Sequence, residues 1–185
     1  MKKQLLILAV IFISTASWGQ EVQKQEKLLS KAEQFSARSG TLIQKEYLKI
    51  GKVQHLPSLS IEVVYYKDLN TNEKINALVI NYLVINRQLV RNSYTAIFDS
   101  DEIDGLIKSI KFIKVNILPT VPSNHTEIVY KNKRDFYLAC IWDEEENKWS
   151  IRGYIDKYIS DSVYFLEMVE LDLLESFLEQ AKAKL

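Results

Sequence analysis

The sequence predicts an α+β protein, in which an N-terminal helix is followed by two ββββα repeats with antiparallel sheets. The main observation is that residues 94–117 and 164–185 share one pattern, an apolar run that leads into an acidic turn and then a helical stripe. At an offset of about 68 residues, Glu102-Ile103-Asp104 falls on Glu170-Leu171-Asp172. Each sheet is expected to be covered by the helix of its own repeat, because the apolar face of that helix needs a partner.

Two further observations support this fold class. The polar segment 68–74 resembles the segment 143–148, and both are rich in residues typical of hairpin loops. The chain has 185 residues and an apolar fraction of 47%, which is sufficient for a globular core.

The chain is predicted to have three parts. Residues 1–19 form a signal peptide, residues 20–40 an N-terminal helical segment, and residues 41–185 a single α+β domain. Within that domain the repeats are expected at 41–117 and 126–185.

The first 19 residues have the composition of a secretory signal. Lys2 and Lys3 precede an apolar run over residues 5–13, and the small residues Ser17 and Gly19 suit a cleavage site before Gln20. The apolar run is much shorter than the roughly 20 residues that span a bilayer. The sequence therefore predicts export to the periplasm or the outside, with no membrane span after cleavage. An uncleaved anchor is the alternative.

The N-terminal helix is expected over residues 23–38. This stretch is rich in Lys, Glu, Gln, Ala and Leu, and Gly40 follows it as a residue suited to end a helix.

Eight strands are predicted from β-branched and aromatic runs that alternate with turn residues. The strands of the first repeat are 41–53, 59–68, 75–86 and 94–99; those of the second are 126–131, 136–142, 149–156 and 163–168. The run 75–86 is apolar on both faces, which indicates either burial on both sides or one face used for contact.

Each repeat is expected to end in an amphipathic helix. Asp99 is the predicted N-cap of the first, with Glu102 three residues later as its capping partner. Apolar stripes then follow at helical spacing, at Ile103, Leu106, Ile107, Ile110, Ile113 and Ile117 in the first helix and Leu171, Leu174, Leu178, Ala181 and Leu185 in the second.

The charge balance argues against nucleic acid as a partner. The chain has 24 basic and 24 acidic residues, and loss of Lys2 and Lys3 with a signal peptide would leave it slightly acidic. Such a chain has no overall attraction for polyanions.

No catalytic, cofactor or metal-binding pattern is visible in the sequence, so the protein is predicted not to be an enzyme and to carry no cofactor. The single cysteine, Cys140, lies in an apolar run and is expected to pack as a small hydrophobic residue, while His55 and His125 fall in loop-like segments. The acidic stretch 99–105 departs from a calcium-loop pattern, and helix capping is the expected role of its acids.

Aromatic residues on predicted strands are the candidate ligand-binding residues. A sheet face with Tyr66, Tyr82, Trp149, Arg152 and Tyr154 could stack bases or sugars. Cross-strand packing in the core explains the same residues without a ligand.

Ser162 is a candidate for O-glycosylation. The stretch Asp161-Ser162-Val163 resembles the Asp-Ser/Thr-aliphatic signal of exported Bacteroidota proteins. A turn at the start of a strand is the alternative interpretation.

The export signal, size and composition together resemble those of small exported proteins of Bacteroidota, a resemblance that implies export and no particular activity. The doubled ββββα order is similar, in topology alone, to the PUR-repeat and Whirly single-strand-binding folds.

The leading hypothesis is an exported, non-enzymatic binding or interaction module that uses a sheet face for a protein or glycan partner. The alternative is binding of single-stranded nucleic acid, as the topological resemblance implies. The sequence does not indicate an oligomeric state.

Overall fold

The computed structural model describes residues 28–53, 58–85 and 90–185. The predicted signal peptide, the segment 20–27 and His55 lie outside these residues.

The structure is an α+β fold with two four-stranded antiparallel sheets, as predicted. A short helix, α1 (Lys31–Ser36), precedes the first sheet, which is formed by β1 (Ile43–Val53), β2 (Ser58–Asp68), β3 (Lys74–Ile85) and β4 (Arg91–Asp99). Next come α2 (Ser100–Phe112) and a π-helical turn (Ile113–Ile117). The second sheet comprises β5 (Thr126–Lys131), β6 (Tyr137–Asp143), β7 (Lys148–Tyr154) and β8 (Val163–Leu166), and α3 (Met168–Lys182) follows it. In both sheets the strands are neighbours in chain order.

Of the predicted helix 23–38, residues 23–27 lie outside the described ranges, and within residues 28–38 the helix α1 covers Lys31–Ser36. Ser30 caps it, since the Ser30 hydroxyl accepts the Glu33 N–H at 2.9 Å and the Glu33 carboxylate accepts the Ser30 N–H at 2.7 Å. This capping box starts the helix at residue 31. The helix ends at the C-cap Ala37, so the expected role of Gly40 as its final cap is wrong; Gly40 instead has a φ of 74° in the turn before β1.

The two long hairpins have the same construction. Asp68 accepts backbone N–H bonds from the residues two and three positions later, and Asp143 does the same. Asn72 and Asn147 both take a left-handed conformation, with φ of 61° and 51°. Because a short polar side chain tolerates this conformation, the same residue types close both β2–β3 and β6–β7.

The helix starts also correspond. Glu102 accepts the N–H of Asp99 at 3.1 Å, and Glu170 accepts the N–H of Glu167 at 2.8 Å. Asp99 is the N-cap of α2, as predicted, and Glu167 holds the same position in α3. The spacing between the two caps reproduces the offset seen in the sequence.

The helices α2 and α3 run antiparallel and are joined by a symmetric set of ion pairs. Lys114 near the end of α2 pairs with Asp172 at the start of α3, and Lys182 at the end of α3 lies 2.5 Å from Asp104 at the start of α2. Asp104 and Asp172, like Lys114 and Lys182, are related by the repeat offset. The two repeats therefore meet about an approximate two-fold axis.

Each helix contacts the sheet of its own repeat, α2 through β3 and β4 and α3 through β8, and both helices also reach the sheet of the other repeat. The helix α3 of the second repeat packs against β1 and β2 of the first sheet. At Gly51 of β1 the ring of Phe177 comes so close that an added Cβ would lie 2.4 Å from it. The helix α2 contacts β3 and β4 and also faces the ring of Tyr130 in β5. The reason is that the paired helices and both sheets share a single hydrophobic core.

The middle of β3, residues 77–80, is buried on both faces, as the first of the two interpretations of the run 75–86 expects. Leu78 and Ile80 point into the shared core, while Ala77 and Val79 point to the opposite, outer face. There α1 covers them with Ala32 and Phe35. Among the described residues, no helix is long and apolar enough to cross a membrane.

Candidate binding surface

The five predicted ligand-binding residues do not share one face. Tyr66 lies on the outer face of the first sheet and is almost fully buried under α1. Tyr82 lies in the shared core, where its hydroxyl donates to the carbonyl oxygen of Val163 at 2.8 Å. For Tyr82 the core-packing interpretation fits the position.

Trp149 lies on the inner face of the second sheet. Its Nε1 donates to the Thr120 carbonyl oxygen at 2.9 Å, and its ring packs edge-to-face on Trp142. Both rings line an open groove of about 850 Å³, which also includes Leu118, Pro119 and Met168. Trp149 thus fixes the segment that follows α2 against the sheet.

Arg152 and Tyr154 do lie together. Both are on β7, two residues apart, and point to the outer face of the second sheet. The antiparallel register places Ala139 and Tyr137 of β6 opposite them. On the other side, Phe165 of β8 pairs with Arg152.

This surface is called the outer face of the second sheet, and it spans all four strands. Its members are Glu127, Val129, Lys131, Tyr137, Ala139, Ile141, Ser150, Arg152, Tyr154, Val163 and Phe165. Phe165 is 64% exposed and Val129 47% exposed. The face therefore presents large apolar side chains to solvent next to cations.

Cations and rings are in contact across this face. The Arg152 guanidinium lies 5.4 Å from the centre of the Phe165 ring, and its Nε is buried without a hydrogen-bond partner among the described residues. The Lys131 and Lys157 ammonium groups each lie 5.5 Å from the Tyr137 ring. Such cation–π contacts keep the rings and the charges at one surface.

The local charge is only partly balanced. Asp135 lies 3.6 Å from the Lys131 ammonium and 3.4 Å from the Lys157 ammonium. Hydrogen bonds with Tyr158 and Tyr137 raise the pKa of Lys157, so this lysine stays charged at neutral pH. The resulting surface is aromatic, and its three cations, Lys131, Arg152 and Lys157, stand against two acids, Glu127 and Asp135.

The corresponding face of the first sheet is closed. The two sheets can be aligned on the hairpin residues Asp68 and Asp143. In this alignment Val64, Tyr66 and Val79 of the first sheet correspond to Ala139, Ile141 and Tyr154 of the second. In the first sheet these positions are covered by α1 through Ala32 and Phe35. Within the described ranges, no helix packs on the outer face of the second sheet.

Tyr137 and Phe165 were not among the residues predicted to bind. A signal for them existed, since strand alternation and the register of β6, β7 and β8 place them on the same face as Arg152. The hairpins set the register between the strands. This register is harder to predict from the sequence than the positions of the strands.

Ser162, the predicted glycosylation site, is fully buried in a 3₁₀ turn (Ser160–Ser162). Its hydroxyl donates toward the carbonyl oxygens of Asp156 and Ile159 at 2.7 and 2.8 Å and accepts the Asp156 N–H at 3.1 Å. In the folded chain this hydroxyl closes a turn, which fits the alternative interpretation given above.

The remaining candidate groups lie apart from this surface. Cys140 is fully buried, and burial raises the pKa of its thiol to about 11. His125 is exposed beside Glu127, with 3.4 Å between its Nε2 and the carboxylate. In the described part of the chain, no group of three or more His, Cys, Asp or Glu residues is arranged to hold a metal ion.

A comparison of the chain with protein-family models gives no match, and no curated protein matches its sequence.

Proposed function

We propose that this protein is an exported, non-enzymatic interaction module, and that the outer face of its second sheet binds a short amphipathic helix of a protein partner. One observation carries the proposal. The same face of the first sheet is occupied by α1, whereas in the second sheet Phe165 is exposed and Tyr137 and Tyr154 are half-buried. Export rests on the pattern of residues 1–19 alone.

The occupant is inferred from the way α1 docks. It is one and a half turns long and inserts one small residue, Ala32, and one aromatic residue, Phe35, between side chains of β2 and β3. A partner helix with a similar apolar stripe suits the second sheet, where the small side chain of Ala139 lies between the larger Tyr137 and Ile141 on the same face of β6. Helix-in-groove recognition of this kind rests on apolar anchors at i, i+3 and i+4.

The polar side of the occupant is inferred from charge. Arg152, Lys131 and Lys157 surround the aromatic centre, so a partner helix with Asp or Glu beside its apolar stripe is favoured. Such charges contribute more to the association rate and to specificity than to affinity.

Single-stranded nucleic acid is the second candidate. The observation that favours it is the placement of Arg152 over Phe165 beside Tyr154, since rings and guanidinium planes are the groups on which bases stack. Against it stand the small number of cations and the acidic pairs on the same face.

The test is site-specific photo-crosslinking in cells that export the protein. A photoreactive phenylalanine analogue replaces Phe165 in one variant and Val115, an equally exposed residue on the π-helical turn, in the control. We expect one discrete protein adduct from position 165 and none from position 115. Affinity of the isolated partner for the Arg152→Glu variant should fall by about tenfold or more, since a desolvated charge is reversed.

Two results would contradict the proposal. Equal adduct patterns from both positions would mean that the face has no specific partner. Tight, salt-sensitive binding of an oligo-dT strand that is lost in Arg152→Ala would support the second candidate instead. Cell fractionation of the full chain tests export separately.

A further inference from the structure

The outer face of the first sheet has a second, polar half that α1 does not cover. We call it the polar half; its members are Tyr47, Lys49, Lys52, Ser60, Glu62, Asn81, Ser93 and Thr95. The strand register places all of them on the same face, because a β-bulge between Lys49 and Gly51 brings both Lys49 and Lys52 to it. Together with Leu83, several of them line an open concavity of about 660 Å³. This surface is separate from the one proposed above for a protein partner.

Hydrogen-bonding groups run across three strands of the polar half. Asn81 donates its Nδ2–H to the Glu62 carboxylate at 3.3 Å and accepts the Thr95 hydroxyl at 2.8 Å. The Ser60 hydroxyl lies 3.5 Å from the backbone carbonyl oxygen of Asn81. This ladder fixes the Asn81 amide, the Glu62 carboxylate and the Ser60 hydroxyl in the lining of the concavity, and Thr95 adds a hydroxyl next to them. Such a mixture of donors and acceptors matches sugar hydroxyl groups.

One wall of the concavity is the edge strand β1, and it is cationic. Lys49 lies opposite Glu62 in the register and Lys52 lies opposite Ser60, and both lysines are exposed. Neither forms an ion pair with another described residue, although Glu62 is close in register. Two cations face one anion here, so the surface is complementary to negative charge.

Tyr47 supplies an aromatic ring at the same edge. It is 60% exposed and stands on β1 two residues before Lys49. An exposed ring beside fixed polar groups and a cation is suited to stack on the apolar face of a sugar ring. A single exposed ring is a poor platform for a nucleic acid strand, where successive bases need successive rings.

We propose that the polar half of the first sheet binds an acidic polysaccharide, with uronate carboxylates paired to Lys49 and Lys52 and one sugar ring packed on Tyr47. The Glu62–Asn81–Thr95 ladder then binds the sugar hydroxyls. Two separate faces would let the protein hold an acidic glycan and a protein partner at the same time.

The test is calorimetric titration of the protein with alginate oligosaccharides at low salt. We expect binding that weakens as salt rises, and a dissociation constant about tenfold or more higher for Lys49→Ala/Lys52→Ala. Tyr47→Ala should also weaken binding, while leaving its salt dependence unchanged. Lys108→Ala, which removes an exposed cation of α2, is the matched control and should bind like the native chain. Neutral maltoheptaose should not bind.

Three outcomes would overturn the proposal. These are no heat of binding at millimolar alginate, binding that persists in the double lysine variant, and tighter binding to oligo-dT than to alginate through the same lysines. The last would assign the polar half to single-stranded nucleic acid. Thermal melting of every variant shows that the fold is intact, and the substituted side chains are exposed, so stability should change by less than about 0.5 kcal/mol.

Discussion

The guanidinium of Arg134, in the turn between β5 and β6, lies 3.3 Å from the carboxylate of Asp99, the residue that caps α2. It also pairs with Glu102 and donates twice to the Ile97 carbonyl oxygen, at 2.7 and 3.1 Å. Arg134 belongs to the second repeat, and the other three residues belong to the first. This buried cluster therefore joins the two repeats at the start of α2.

The same carboxylate holds the N-terminal helix in place. Both oxygens of Asp99 lie 3.1 Å from the backbone nitrogen of Lys31, the first residue of α1. An anion at a helix N-terminus is favourable because it faces the positive end of the helix dipole. Asp99 thereby connects α1, α2 and Arg134.

Replacement of Arg134 by Met should destabilise the protein strongly. The side chains of Arg134, Asp99 and Glu102 are each at most 10% exposed, so the substitution leaves two buried carboxylates without their cation. Removal of one partner of a buried ion pair costs about 3–5 kcal/mol. Urea unfolding followed by tryptophan fluorescence measures the loss.

Two variants make this prediction specific. Lys133→Ala removes an exposed cation from the same turn and should change the free energy of unfolding by less than about 0.5 kcal/mol. Adding Asp99→Asn and Glu102→Gln to Arg134→Met removes the unpaired charges and should restore part of the stability. An Arg134→Met protein as stable as the native one would show that the cluster does not hold the repeats together.

Two glycines should respond in opposite ways to alanine. A Cβ at Gly153 would lie 1.8 Å from the ring of the buried Tyr164, so Gly153→Ala should cost about 1–3 kcal/mol. Gly105 is exposed in the middle of α2, where its nearest neighbour would be 3.9 Å away. Gly105→Ala should therefore stabilise the protein by about 0.5–1 kcal/mol, because alanine favours the helix.

Thermal melting of the two single variants measures both effects. A destabilised Gly105→Ala variant would mean that α2 packs more closely on Tyr130 than the structure indicates. A neutral Gly153→Ala variant would mean that the Tyr164 ring has an alternative position.

Stability should fall at alkaline pH. Burial raises the pKa of Tyr66 to about 12, and burial together with the nearby Glu102 raises that of Tyr130 to about 12. In the unfolded chain both phenols titrate near the ordinary tyrosine pKa of about 10. Above that pH the unfolded state loses protons that the folded state keeps, so the free energy of unfolding decreases as pH rises from about 10 towards 12.

The measurement is urea unfolding at pH 8, 10 and 11.5. Tyr66→Phe and Tyr130→Phe should each reduce the decrease between pH 10 and 11.5. A flat stability profile over this range would contradict the assigned burial of the two rings.

The sequence was sufficient to predict much of the local structure, although not the start of α1 or the place of Gly40. Strand runs, the Asp99 cap and the paired hairpins depend on residues within a few positions of one another, so the pattern of residue types carries them. The spacing of about 68 residues between the two repeats also allowed the order of the elements to be predicted, because the same helix-start pattern recurs at Glu102 and Glu170.

The sequence did not predict the contacts between distant elements. In the sequence, no feature distinguishes Arg134 of the second repeat from other basic residues in turns. Only the packing of the two repeats on the shared core brings it to Asp99. The packing of α3 on the first sheet and the exposure of the second sheet's outer face depend in the same way on how the repeats meet. The five aromatic and cationic candidates were therefore correctly placed on strands but spread over three surfaces.

The thiol of Cys140 should be unreactive in the folded protein. It is fully buried, and its pKa of about 11 leaves almost no thiolate at neutral pH, which is the form that reacts with alkylating reagents. Iodoacetamide at pH 8 should therefore modify Cys140 only when the chain unfolds, and the modified fraction should follow the urea unfolding curve. The destabilised Arg134→Met variant should be modified faster in proportion to its unfolded population.

The control is Ser176→Cys in a Cys140→Ala background, which places a thiol on the exposed side of α3 and should react at the rate of a free thiol. Rapid modification of native Cys140 would contradict its position in the shared core, since β6 would then have to expose its inner face without global unfolding.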